Sequence, residues 1–246
     1  MSWLRASLLL AFFSFLGCQP AAFPRSGEIV PRGQFAADVH LPIVQWEPQK
    51  VIVPGTNGRQ LVSSVSWSPV ISGAVRGSLG GCEIGGLYQW LRVGGEIRCG
   101  LLQERWGHPL SIALGGLLAF DFGIVTAPFG RIGLDVSRRF GPLKLLADVY
   151  MSAGDAYRYL EDPSIIPIEG PLPGARAIVR REVRLTVPLG IAIRTAQLGD
   201  SWRQSDARRP WVWLVFGATP WWVLNKQPAT WDAGGGVVFS VGFEIR

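Results

Sequence analysis

The last eleven residues, 236–246, set Val237, Phe239, Val241, Phe243 and Ile245 at every second position, with Val238, Ser240, Gly242 and Glu244 between them. Successive side chains of a β-strand point to opposite faces, so this is a strand with one apolar, aromatic face and one small or polar face. The same period of two returns through most of the chain. In residues 131–140, Ile132, Leu134 and Val136 alternate with Arg131, Gly133, Asp135, Ser137 and Arg139. In residues 177–195, Val179, Val183, Leu185, Val187, Leu189, Ile191 and Ile193 keep one parity against Arg180, Glu182, Arg184, Thr186 and Arg194. A chain patterned this way folds as antiparallel sheet. What remains is whether its apolar faces meet each other or meet lipid.

Alternation or β-rich composition predicts strands near 34–45, 61–78, 82–91, 96–103, 109–121, 131–140, 143–152, 177–195, 211–219 and 236–246. Beyond the amino terminus no apolar run reaches the ~18–20 residues that a membrane helix needs. The segments suit strands of ~9–11 residues, which cross a membrane when tilted. Charged residues make up 17% of the chain, against ~25% for an ordinary soluble protein. The polar faces carry the acids Glu83, Glu96, Asp121, Asp135, Asp148, Glu182 and Glu244 and the bases Arg98, Arg131, Arg139, Lys144, Arg180, Arg184 and Arg194. These matched numbers suit ion pairs across a narrow lumen, where an unpaired ion would be costly and arginine can bridge carboxylates. Trp46, Trp67, Trp90, Trp106 and Trp211 fall near strand ends, as interfacial girdles require. The expected fold is all-β: an antiparallel up-and-down transmembrane β-barrel of about ten strands, within a range of about 8–12.

Gly236, Phe239, Val241 and Phe243 form Gly-x-x-apolar-x-apolar, with a further aromatic, at the end of the chain. This resembles the C-terminal strand of bacterial outer-membrane β-barrels, which the barrel-assembly machinery reads as an insertion signal. The chain departs from that pattern at its tip, Glu244-Ile245-Arg246, where those strands usually end on an aromatic residue. The resemblance implies a place in the outer membrane, with lipid, lipopolysaccharide and the assembly machinery as partners. At the other end, Met1 to Leu16 carries Arg5 and then an apolar run, the layout of a signal peptide. Phe15-Leu16-Gly17-Cys18 resembles a lipobox, although Phe15 stands where leucine is usual, and this implies lipidation at Cys18. Ordinary cleavage within residues 19–25 is the alternative. The expected organisation is a signal peptide (1–17), a Pro-rich periplasmic tether (18–32) and one barrel domain (33–246).

With the C-terminus in the periplasm, counting back makes the loops at 122–128, 154–174 and 220–235 external. Residues 79–81 and 141–142 become periplasmic turns. Residues 197–210 are too long to fit that count well. The two larger loops are the best candidates for contact with anything outside.

The chemistry-bearing residues are few. Cys82 and Cys99 have the parity of apolar neighbours. A turn near Val93-Gly94 would put them several residues out of register, so two unbridged thiols are expected. No histidine or second cysteine stands at metal-ligand spacing, so no metal or other cofactor is expected. His108 precedes Ser111 but belongs to a turn, and Asp38-x-His40 lies on one strand face; both histidines read as structural. The basic excess sits in loops (Arg203, Arg208, Arg209) without a basic helix or stacking aromatics, which argues against nucleic acid. The expectation is a barrel with a charge-filled narrow lumen and a structural or binding role at the cell surface, its ligand unreadable. A small-solute channel, a lipid-modifying enzyme and an exported lipocalin-like binder remain as alternatives.

Overall fold

The computed structural model describes residues 22–52, 59–66, 71–89, 92–122, 126–160, 176–197, 211–225 and 235–246. They form β1 (Phe35–Ile52), β2 (Arg59–Ser66), β3 (Ser72–Leu79), β4 (Cys82–Gln89), β5 (Arg92–Leu102), β6 (Ser111–Phe122), β7 (Thr126–Phe140), β8 (Leu143–Leu160), β9 (Arg176–Thr186), β10 (Leu189–Gln197), β11 (Trp211–Val223) and β12 (Gly235–Ile245). A 3-10 turn, Glu104–Trp106, links β5 to β6. Adjacent strands are antiparallel, in the order β10-β11-β12-β1-β3-β4-β5-β6-β7-β8-β9, and β8 also pairs with β10. The sheet therefore closes. Its seam joins the two ends of the chain, with Ala37 opposite Ile245 and Trp46 opposite Val237.

Two barrel strands are each assembled from two segments. β2 and β3 both pair with β1. Thr186 faces Trp221 and Tyr150, and Leu189 faces Ala218 and Ala147, so β9 and β10 share one register through Val187 and Pro188. Pro188 has no N–H to give the ladder, but its carbonyl accepts from Asp148 N–H at 2.8 Å. Among the described residues the result is a closed barrel of ten strands. Closure leaves no edge, which is what lets strands exist in lipid.

The period-two pattern sorts the side chains onto two sides of this wall. Leu118 is 77% exposed and Phe239 49%, while Arg76 and Glu83 are 0% exposed. A water-soluble sandwich or a lipocalin-like barrel would bury the apolar set. Here that set faces outward on strand after strand, and the charged set faces in. Small apolar clusters complete the interior: Ala74, Leu87, Leu117, Ala119 and Phe129 in one, and Leu146, Ala192, Trp213 and Val215 in the other.

Several boundaries differ from the sequence expectation. β1 runs on to Ile52, beyond the expected strand end at 45, while β8 runs to Leu160 and β11 to Val223, so strand replaces parts of the expected loops at 154–174 and 220–235. Arg92 to Gly95, expected as a turn, begin β5 instead. The glycine at 94 serves close packing there, since a Cβ would collide with Ala119. The hairpin pairs Gln89 with Arg92, and this shorter connection sets Cys82 directly opposite Cys99. The two form a disulfide, correcting the expectation of free thiols. Loss of the bridge in a Cys82→Ser/Cys99→Ser variant is expected to lower the unfolding free energy by about 2–3 kcal/mol, the scale for a loop this short. Denaturant titration with and without reductant checks this.

Candidate functional site in the barrel interior

The end of the barrel that carries Arg246 also carries the connections at 79–82, 102–111 and 140–143 and is called here the turn end. From it the chain preceding β1 runs inward. Ala22 to Val30 are buried apart from the half-buried Glu28. Residues 18–32 were expected to be a tether outside the barrel; Ala22 to Val30 lie inside it instead, and Pro31 and Arg32 are exposed. Arg25 N–H donates to Asp148 Oδ2 at 2.7 Å and Val30 N–H to Glu83 Oε1 at 2.8 Å. Gln103 accepts from Ile29 N–H at 2.8 Å and donates to the Gly27 carbonyl at 2.9 Å. An irregular segment has no ladder to satisfy its backbone, and here inward-facing side chains of the barrel do so. Gly27 passes so near the wall that a Cβ would strike the Ser111 and Asp135 carbonyls. Higher up, the Phe23 ring stacks on the His40 imidazole with centroids 5.0 Å apart.

The charged side chains around this segment form one connected set. Arg76 reaches Asp38 in a close contact, Glu96 at 2.7 Å and Glu83 at 3.3 Å. Arg25 adds a second cation to the same acids, 2.6 Å from Glu96 and 3.5 Å from Asp38. Arg98 joins Glu83 at 2.8 Å to Asp135 at 2.6 Å, and Tyr150 donates its hydroxyl to Asp135. Near the turn end Arg246 bridges Glu83 at 3.0 Å and Glu244, while Lys144 and Arg139 each meet Glu28 at 2.8 Å. Burial pushes the Glu28 carboxyl up, but Lys144 and Arg139 outweigh it and hold the group below the usual carboxylate range. Among Arg25, Arg98, Arg131, Asp135 and Tyr150 the void is about 10 Å³, room for roughly one water. The turn-end mouth is wider, a vestibule of about 640 Å³ between Glu28, Arg105, Arg139, Trp211, Trp213 and Arg246.

Of the residues expected to line the lumen, Glu83, Glu96, Arg98, Asp135, Lys144 and Glu244 belong to this set. Asp148 holds backbone N–H groups of Arg25 and Val136. Arg131 is 4.0 Å from Glu96 and lies over the Tyr150 ring. Asp121 pairs with Arg92 at 2.5 Å at the opposite end, and Glu182 with Arg184 at 2.8 Å. Arg139 sits at the mouth, partly exposed. Arg194 does not line the interior: it is exposed and stacks over Trp211 at 4.3 Å. It keeps inward parity but stands where β10 loses register against β11, between Arg194 and Ala196. The Arg180 side chain and Cys18 lie outside the described residues. Phe239 and Phe243 face outward on the seam strand, with Val241 between them and partly covered.

Arg25, Glu28, Arg76, Arg92 and Arg246 were not anticipated as interior charges. Asp38 and His40 were singled out as neighbours on one face; their side chains approach to 3.7 Å. Among the described residues His40 Nδ1 has no hydrogen-bond partner, and nor do the hydroxyls of Thr186, Thr219 and Ser240. His108 is exposed in the turn, and Ser111 Oγ is engaged by Glu104 N–H at 3.0 Å. Among the described residues no three potential ligands converge on a metal position.

A closed antiparallel barrel with apolar residues outside and ion pairs inside defines a transmembrane barrel of the outer-membrane type. No family model matches the chain, and no curated protein matches it in sequence. Among solved structures it is similar to Neisserial surface protein A (NspA), at 10% identity and a TM-score of 0.35, with 86% of this chain and 96% of that chain covered.

Proposed function

We propose that the chain is an exported outer-membrane barrel whose lumen is closed by its own N-terminal segment and charged lining. Its role is structural or binding at the cell surface, with lipid and lipopolysaccharide around it and the barrel-assembly machinery inserting it. One observation carries the closed-lumen reading: the segment from Ala22 to Val30 occupies the interior and exchanges hydrogen bonds with strand residues around it. A conducting pore needs charges along an open wall, whereas these meet across the middle and around the segment. Cys18 stands four positions before Ala22, a reach of at most ~14 Å. Acyl chains held that close to a polar lumen would compete with the seating of the segment. The reading therefore takes cleavage beyond Cys18, with residues 1–17 serving for export.

The test begins with carbonate-washed membranes. The protein should remain in them and shift in gel mobility on boiling. In planar bilayers the intact chain should give no discrete conductance steps, and a variant lacking residues 22–30 should give them. Steps of equal size from both would favour the channel reading. Release from the membrane without detergent would sink the membrane reading altogether.

A further inference from the structure

Residues 22–30 fill the lumen without joining its wall. None of them belongs to a strand, and the ladder closes directly from β12 to β1. They reach β1 through an exposed turn at Pro31, Arg32 and Gly33, where Gly33 has a φ of +79°. The segment is therefore a ligand on a tether, and the wall meets it residue by residue. Gly190 and Gly217 face each other across β10 and β11, and the buried Pro24 ring fills the notch that their missing side chains leave. A Cβ at position 217 would lie 2.5 Å from that ring, and one at 190 would lie 2.8 Å from it. Arg25 finds three acids: Asp148 for its backbone N–H, and Glu96 and Asp38 for its guanidinium. Gly27 N–H donates to Ser137 Oγ at 3.0 Å, where wall carbonyls leave no space for a side chain. Glu28 meets Lys144 and Arg139.

A segment that only excluded water would need apolar bulk. This one sets proline, arginine, serine, glycine and glutamate against wall groups of matching shape or charge. With the arginine and the glutamate exchanged, each would meet like charge, which is how a site rejects a wrong ligand. We infer that the barrel interior is a sequence-selective binding site for an extended peptide of the order Pro-Arg-small-Gly-acid, occupied in cis by residues 24–28 and open to the same peptide in trans once they are unseated. Gly217 is the residue that selects the proline. The site rests on the closed-lumen reading. The tether holds the resident segment at high effective concentration, so a free peptide competes only after that segment is displaced.

The test uses full-length variants in planar bilayers, each checked for a heat-shifted band, and synthetic peptides spanning residues 22–33. Arg25→Asp sets a further carboxyl among Asp38, Glu96 and Asp148, and Gly27→Val drives a side chain into the wall carbonyls. Both changes lie in the segment and leave the wall as it is. Each variant should fold, conduct, and lose its conductance steps when the wild-type peptide is added. A scrambled peptide, or one carrying Arg25→Asp, should not close either variant. Adding Gly217→Ala to the Arg25→Asp chain should reverse the preference for proline. That chain should close at about tenfold lower concentration of the Pro24→Ala peptide than of the wild-type peptide, the scale of overpacking by one methyl group. The site is overturned if folded variants stay closed, if the wild-type peptide leaves their conductance unchanged, or if the scrambled peptide closes them equally. It is also overturned if neither variant folds, because the segment is then part of the barrel rather than its ligand, or if Gly217→Ala leaves the preference unreversed. Conductance from the wild-type chain overturns the closed-lumen reading and the site with it; a closed wild type whose variants ignore the peptide overturns the site alone.

Discussion

Arg76→Ala is expected to lower the unfolding free energy of the folded barrel by about 3 kcal/mol, the lower end of the range for breaking a buried ion pair. Arg76 is fully buried and faces Asp38, Glu83 and Glu96. Its removal leaves three buried carboxylates short of a cation. Each retains another: Arg25 lies within 3.5 Å of Asp38 and 2.6 Å of Glu96, and Arg98 within 2.8 Å of Glu83. That remaining charge is why the lower end of the range is the right one. Denaturant titration of the protein folded in vesicles measures the loss. A buried pair replaced whole by apolar groups of like volume can cost little. Arg76→Met combined with Glu96→Met should therefore recover part of the loss. If Arg76→Ala unfolds like wild type, water reaches these carboxylates and the interior is not closed around them.

Arg76 also shows what could be read from residues alone and what could not. The parity rule placed Glu83, Glu96, Arg98, Asp135 and Glu244 inside, because each sits in a segment whose alternation is unmistakable. Arg76 obeys the same rule, but its segment is broken near Ser68-Pro69 and its alternation is diluted by Gly73 and Gly77. Asp38 shared its face with His40 and was weighed for catalysis, so its role as an ion-pair partner went unseen. The N-terminal segment lay beyond any such rule. A Pro-containing stretch without periodicity suits an external tether and an internal plug equally, because both leave the backbone outside a ladder. Its partners are also remote in the chain: Arg25 bonds Asp148, 123 positions away. The disulfide was missed through the hairpin connection. Moving the turn from Val93-Gly94 to the link between Gln89 and Arg92 changes the register of the whole pair, and register decides which residues face each other. The ten-strand barrel itself was legible, since it needs only the parity and the approximate spacing of the segments.

Phe239→Arg is expected to cost about 2–4 kcal/mol of stability in lipid, the scale for a charge near the midplane on a barrel exterior. Phe239 lies in the middle of β12, opposite Val44 and Ala218, and its ring is half exposed on the outward side. In water an exposed arginine there would be harmless or mildly favourable, so the sign of the effect separates a lipid-facing wall from a solvated one. β12 is also the seam, paired on both sides, so the penalty falls where the barrel closes and should appear as slowed or failed assembly. Phe239→Leu keeps the site apolar and should assemble as wild type does. Membrane fractions of the three proteins, washed with carbonate and compared boiled and unboiled, give the readout. A normal heat-shifted band for Phe239→Arg, with unchanged unfolding in vesicles, would mean that the apolar wall does not face hydrocarbon. The outward position of Leu118, Ile132, Phe216 and Phe239 would then need a protein partner to cover it.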